Sequence, residues 1–189
     1  TNSGRVITRA IVGHHWKIAI SYNPMTRAEF EPIASFLEER RGRLKPFFVV
    51  LPQHASPQTA SSGTISTTGT IASGDSNFLA TGTTASGMNL ERGDMITIND
   101  SSNSNHLKAY KIVRVHTSAN RLSSDSDLDQ ATERRYYVVP PFEKDITSGS
   151  TVVYTNPLIR VINTKDVFEY SLGTNNLYQF SLSLEEAQP

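Results

Sequence analysis

The sequence predicts a mainly β chain with one helix, arranged as two modules. Three observations predict it. Short runs with period-2 alternation recur along the chain, separated by Gly, Asn, Asp and Ser. A single stretch, 26–41, carries helical spacing and a capping signature. Composition changes abruptly near residue 55 and changes back near 157. An exposed loop accepts an inserted module, because its two ends lie close together. The domains are therefore expected as 1–55 with 157–189, interrupted by 56–156.

In chain order, residues 5–12 (RVITRAIV) and 16–22 (WKIAISY) read as strands joined at Gly13. In the second, Trp16, Ile18 and Ile20 alternate with Lys17, Ala19 and Ser21, which describes a sheet with one buried face. His14 and His15 follow the turn. Adjacent strand residues point to opposite faces, so this pair does not readily share a metal.

Thr26 and Glu29 form a T-x-x-E capping box. Pro32 would cost a helical hydrogen bond and clash with the preceding turn. The expectation is thus a short first turn, then a helix with Pro32 at its first position. Ile33, Phe36, Leu37 and Arg40 fall at i, i+3, i+4, i+7. Gly42 suits the left-handed position after the helix. The basic cluster Arg40, Arg41, Arg43 and Lys45 reads as helix C-terminal charge rather than a phosphate site. Residues 46–52 (PFFVVLP) have no polar face, which predicts a strand buried on both sides, at the sheet centre or beneath the helix.

From 55 to 87 the chain is Ser, Thr, Gly and Ala, with Ile65, Ile71, Phe78 and Leu79 spaced through it. The composition of TISTTGTIASGD suits a disordered linker, while the thin alternation around Ile65 and Ile71 predicts short strands instead. Denser patterns follow at 93–100, 106–117, 135–142 and 150–156, the signature of a small antiparallel barrel or sandwich. At 106–117, Leu107, Ala109, Lys111, Val113 and Val115 fall on one side, and His106, Lys108, Tyr110, Ile112, Arg114 and His116 on the other. The chain then returns to its first style at 158–164, 167–172 and 177–187. In the last of these Tyr178, Phe180, Leu182 and Leu184 line one face. Gly173–Asn176 reads as a turn.

Composition excludes several function classes. Eighteen Lys+Arg balance eighteen Asp+Glu, with no basic excess for general nucleic-acid binding. No cysteine is present, which excludes disulfides, thiolate metal sites and a Cys nucleophile. No apolar run reaches the ~18 residues of a membrane-spanning helix. The polar start, Thr1–Arg5, contains no signal-peptide apolar region, and the chain has no initiator Met. No nucleophile elbow, phosphate loop or dinucleotide motif is found. The five histidines, His14, His15, His54, His106 and His116, lack metal-ligand spacing. Asp125, Asp127 and Asp129 mimic the start of a calcium loop, but Gln130 and Tyr136 stand where Gly and Glu are required. No catalytic residue, cofactor or metal is assigned, and the expectation is a protein that is not an enzyme. Aromatic residues beside arginines, Tyr110, Tyr136, Tyr137 and Tyr154 with Arg134 and Arg135, are candidates for stacking sugars or contacting a partner.

The two ends of the chain resemble a known family. The segment HHWKIAISYNPMTRAEFEPIASFLEERRGRLKPFFVVLPQ, followed far downstream by YSLGTNNLYQFSLSLEEA, is similar to the distal tail proteins of T-five-type siphophages. The matching positions are Trp16, Ile18, Ile20, Ser21 and Tyr22, then Gly42, then Val50, Leu51, Pro52 and Gln53. Near the end they are Asn175, Asn176, Tyr178, Ser181, Leu182, Ser183 and Leu184. The middle matches in style only, at Gly93, Asp94, Ile96, Lys108, Tyr110, Lys111 and Ile112.

The resemblance implies a β-sandwich-like ring domain with a helix and an inserted OB-fold-like barrel. It implies a structural virion protein at the phage tail tip, a hexameric ring around the tail channel. Its partners would be a tail tube protein above and a tip or hub protein below, with no specific nucleic-acid binding and no membrane insertion. The family carries no catalytic residues. The competing reading is a carbohydrate-binding adhesin module that contacts the host surface, with the four tyrosines as its stacking platform.

Overall fold

The computed structural model describes residues 14–100, 102–103, 108–120, 122–123, 128 and 131–187. The expected strand 5–12, His106 and the acidic positions Asp125, Asp127 and Asp129 lie outside them. Among the described residues eleven strands and one α-helix form an open sheet and a closed barrel.

The sheet is built from both ends of the chain. β1 (Lys17–Ser21), α1 (Arg27–Arg40) and β2 (Phe47–Val49) come first. β9 (Ile159–Asn163), β10 (Tyr170–Leu172) and β11 (Tyr178–Glu186) come last. The order is β1-β11-β9-β2, with β10 beside the first residues of β11, and every pairing is antiparallel. The periodicity of β11 holds, with Phe180, Leu182 and Leu184 buried on the helix side. There they meet Phe30, Ala34 and Leu37 of α1.

The capping box forms, with the Thr26 backbone N–H and hydroxyl both 2.9 Å from Glu29 Oε2. Pro32 does not split the helix. It sits inside α1, which runs unbroken from Arg27. The lost bond costs less than an interruption would, because Phe30 before it and Ala34 and Leu37 after it must share one buried face. The left-handed turn after α1 begins at Arg41 (φ 52°) and continues through Gly42 (φ 61°). A Cβ at Gly42 would meet the Asp166 Cα at 3.0 Å, so this glycine lets the helix end close onto the loop after β9.

Strand β2 differs from expectation. It is the edge of the sheet, beyond β9, and Phe48 is 47% exposed. Its continuous apolar run serves two surfaces. Phe47 enters the core, while Phe48 looks outward beside Arg160.

The barrel strands are β3 (Ile65–Thr68), β4 (Asn77–Gly82), β5 (Met95–Asn99), β6 (Ala109–His116), β7 (Glu133–Val139) and β8 (Thr151–Val153). They close in the order β3-β4-β7-β6-β5-β8 and back to β3. That is six strands, where an OB-fold has five. The Ser/Thr-rich stretch is ordered. Ile65 lies in β3, Ile71 makes a single bridge to Ile146, and β4 supplies a strand the thin pattern did not signal. The barrel core gathers Ile65, Phe78, Ile96, Ile98, Tyr110, Ile112, Tyr136, Val138, Phe142 and Val152. In β6 a bulge between Ile112 and Arg114 breaks the simple two-sided alternation read from the sequence. The two crossings between modules touch, since the Asn156 N–H bonds the Ala55 carbonyl at 2.8 Å.

Candidate functional site

The four tyrosines proposed as a stacking platform do not form one. Tyr110 and Tyr136 are 0% exposed, inside the barrel. Inward-pointing register puts them there, with Phe78 and Phe142 against their rings. Neither ring has a face to offer a sugar. Burial, the dominant cause, raises both phenol pKa values well above the usual range. Tyr137 lies on the outer wall, but Arg114 covers its ring, with the guanidinium carbon 3.7 Å from the centroid. Tyr154 packs against the barrel core and donates its hydroxyl to the Gly63 carbonyl at 2.7 Å.

A polar centre that sequence reasoning missed joins the two modules. Lys108, 2% exposed, enters from the barrel side. Its Nζ donates to Glu186 Oε2 at 2.8 Å and to the His14 carbonyl at 2.8 Å, and lies 3.1 Å from Glu143 Oε1. Glu186 Oε2 also accepts the Trp16 N–H at 3.1 Å, and the Trp16 indole N–H donates to the Ala109 carbonyl at 3.0 Å. One ammonium thus holds the lead-in to β1, the end of β11 and a barrel loop. The signal was present in the alternation. Lys108 shares a face with Tyr110 and Ile112, and Glu186 follows Leu182 and Leu184 on the buried face of β11. A charge on an apolar face needs a partner, and these two supply each other's.

Beside this centre the barrel wall completes the other module's core. In β5, Ile96 and Ile98 point into the barrel, while Met95 on the opposite pleat packs with the sheet domain. Ala109 in β6 does the same. α1 and the barrel therefore cover the same face of the sheet.

Among the described residues no element covers the opposite face of the sheet. Registers place Lys17, Ala19, Ser21, Ser181, Ser183 and Glu185 on it, with Arg160 and Phe48 toward β2. Phe48 and Leu158 are 47% and 48% exposed. A further exposed apolar group, Val167, Tyr170 and Leu172, lies along β10 and the loop before it. Among the described residues β1 and β2 end the sheet on either side.

The remaining candidates have local roles. His14 meets the Trp16 ring edge-on, and His15 Nε2 lies 2.9 Å from Glu185 Oε1. The two side chains have separate partners. Desolvation, with repulsion from Lys111, lowers the pKa of His54 below 6.5, against a smaller upward pull from Asp94. Arg41, Arg43 and Lys45 are exposed at the end of α1, and Arg43 Nε donates to the Thr164 carbonyl at 3.3 Å. Among the described residues no three His, Asp or Glu side chains gather as a metal site. No helix there is long and apolar enough to cross a membrane.

Neither the family models nor the curated proteins contain a match to this chain.

Proposed function

We propose that this chain is a structural component of a phage tail tip, a ring-forming protein of the distal tail type that joins the tail tube to the tip complex around the channel. The resemblance of the chain ends supplies the identity of the reading. The observation that carries it is the contrast, among the described residues, between a closed barrel and a sheet with unpaired edges and one face that no other element covers.

A closed ring of subunits needs two different patches on one subunit, because each copy meets its neighbours through unlike surfaces. The sheet domain has exposed apolar groups at two separate places, Phe48 with Leu158, and Val167 with Tyr170 and Leu172. An unpaired strand edge is itself a docking surface. The barrel, with no open edge, would stand clear of such a ring and be carried by the Lys108 junction.

The test is native mass spectrometry of the full chain with negative-stain images. Six-fold particles with a central hole are expected. A chain that stays monomeric at every concentration, alone and with tail-tube protein added, would overturn the reading.

A further inference from the structure

The barrel wall carries a basic cleft that owes nothing to the ring reading. Arg114 in β6 lies across the ring of Tyr137, its cross-strand neighbour in β7. His116 meets the same ring edge-on, 5.0 Å between centroids. A guanidinium stacked on an aromatic face keeps its N–H donors in the ring plane's periphery and loses less rotamer freedom when it binds. Arg114 lines an open cleft of about 530 Å³ together with Arg92, His116, Asn120 and Glu91. That volume admits a small polar molecule.

Among the described residues, two arginines face one carboxylate in the lining of this cleft. Among the described residues neither Arg92 nor Arg114 has a carboxylate at ion-pair distance. Glu91 is the one carboxylate among the described lining residues, and the Thr59 hydroxyl engages it at 2.5 Å. The side-chain oxygen of Asn120 accepts from the Thr117 N–H at 2.6 Å and hydroxyl at 3.1 Å, which leaves its Nδ2 as the group to turn toward a ligand. Two guanidiniums and an amide donor on one concave wall suit an acceptor that carries charge.

We propose that this cleft binds an oxyanion, the carboxylate or phosphate of a small polar molecule, with Arg114 and Arg92 as its charged contacts. The forked donors of arginine match either group in bidentate fashion. Tyr137 acts through Arg114, as the platform that orients it.

The experiment is ligand-observed NMR on the full chain, with glucuronate, glycerol phosphate, inorganic phosphate and glucose as probes. Binding of at least one charged probe at or below about 10 mM is expected, weakened by added salt, with glucose silent. Glucuronate alone would identify a carboxylate ligand, and glycerol phosphate with inorganic phosphate would identify a phosphate. Arg114→Gln and Arg92→Gln should each weaken binding at least tenfold at unchanged thermal midpoint. Tyr137→Leu should weaken it less, and Phe48→Glu not at all. No response to any charged probe, or an equal response from the Arg92→Gln/Arg114→Gln double variant, would overturn the proposal. Since Phe48→Glu disrupts the ring surface and leaves the cleft intact, failure of one reading is distinguishable from failure of the other.

Discussion

The two modules of this chain solve the same problem in opposite ways. The barrel pairs each of its six strands with a neighbour on both sides and fills its interior with aromatic and branched side chains. Among the described residues, the sheet domain pairs its strands into an open array, buries one face under α1 and the barrel wall, and has nothing over the other. The poorer sequence makes the more complete structure. The Ser/Thr-rich stretch before β5 yields closed, edge-free strands, while the apolar run of β2 ends at an exposed edge. Closure removes the need for a partner, and openness creates one.

Substitutions at Lys108, Gly42, Tyr136 and His54 probe that contrast. Lys108→Met leaves Glu186 buried, and Glu143 partly buried, without the Lys108 ammonium. It should cost about 3–5 kcal/mol, as removal of one member of a buried ion pair does. Urea unfolding should then show two transitions, because the variant uncouples the modules. A single transition at unchanged midpoint would refute the junction's role.

Gly42→Ala should destabilise by about 1–3 kcal/mol, through its positive φ and its contact with Asp166. The loss should fall on the sheet domain alone, which hydrogen exchange resolves by module.

Tyr136→Phe tests the barrel interior. The Tyr136 hydroxyl is buried without a hydrogen-bond partner. Its removal should leave stability equal or raise it by up to about 1 kcal/mol. A clear loss in calorimetry would mean the hydroxyl is satisfied. Tyr136→Ala, by contrast, should cost about 3–5 kcal/mol, so lost sugar binding in that variant would report unfolding rather than a site.

His54 gives the smallest effect. Its folded pKa is lowered, so the unfolded chain binds the proton first as pH falls. Its contribution is complete above 6.5 and is lost as pH drops from there through the lowered folded value. His54→Gln should flatten the stability profile in that window, as read from urea midpoints at stepped pH.

The legible parts of this fold were those with local causes. The Thr26/Glu29 box, the alternation of β11 and the turn before it, where Asn176 takes φ 56°, follow from neighbouring residues. The position of β2 does not, because an apolar run fits an edge bearing a partner surface as well as a buried centre. Pro32 inside α1 shows packing overriding propensity. Met95 alternates with Ile96 and Ile98 along β5, but nothing local reveals that its side belongs to the other module's core. The tyrosine platform failed for a similar reason. Tyr110 and Tyr136 look alike in sequence whether they point in or out, and inward register settled them. The Lys108–Glu186 pair joins positions far apart in the chain, and only the phase of each charge on its own strand hinted at it.

The most direct test of the central claim compares sedimentation of the full chain with that of two variants. Phe48→Glu/Leu158→Glu alters the bare sheet face, and Arg114→Gln alters the barrel wall. The account predicts a closed oligomer for the full chain and for Arg114→Gln, and a folded monomer for Phe48→Glu/Leu158→Glu. An oligomer that survives charge on the sheet face, or one lost by the barrel change, would contradict it.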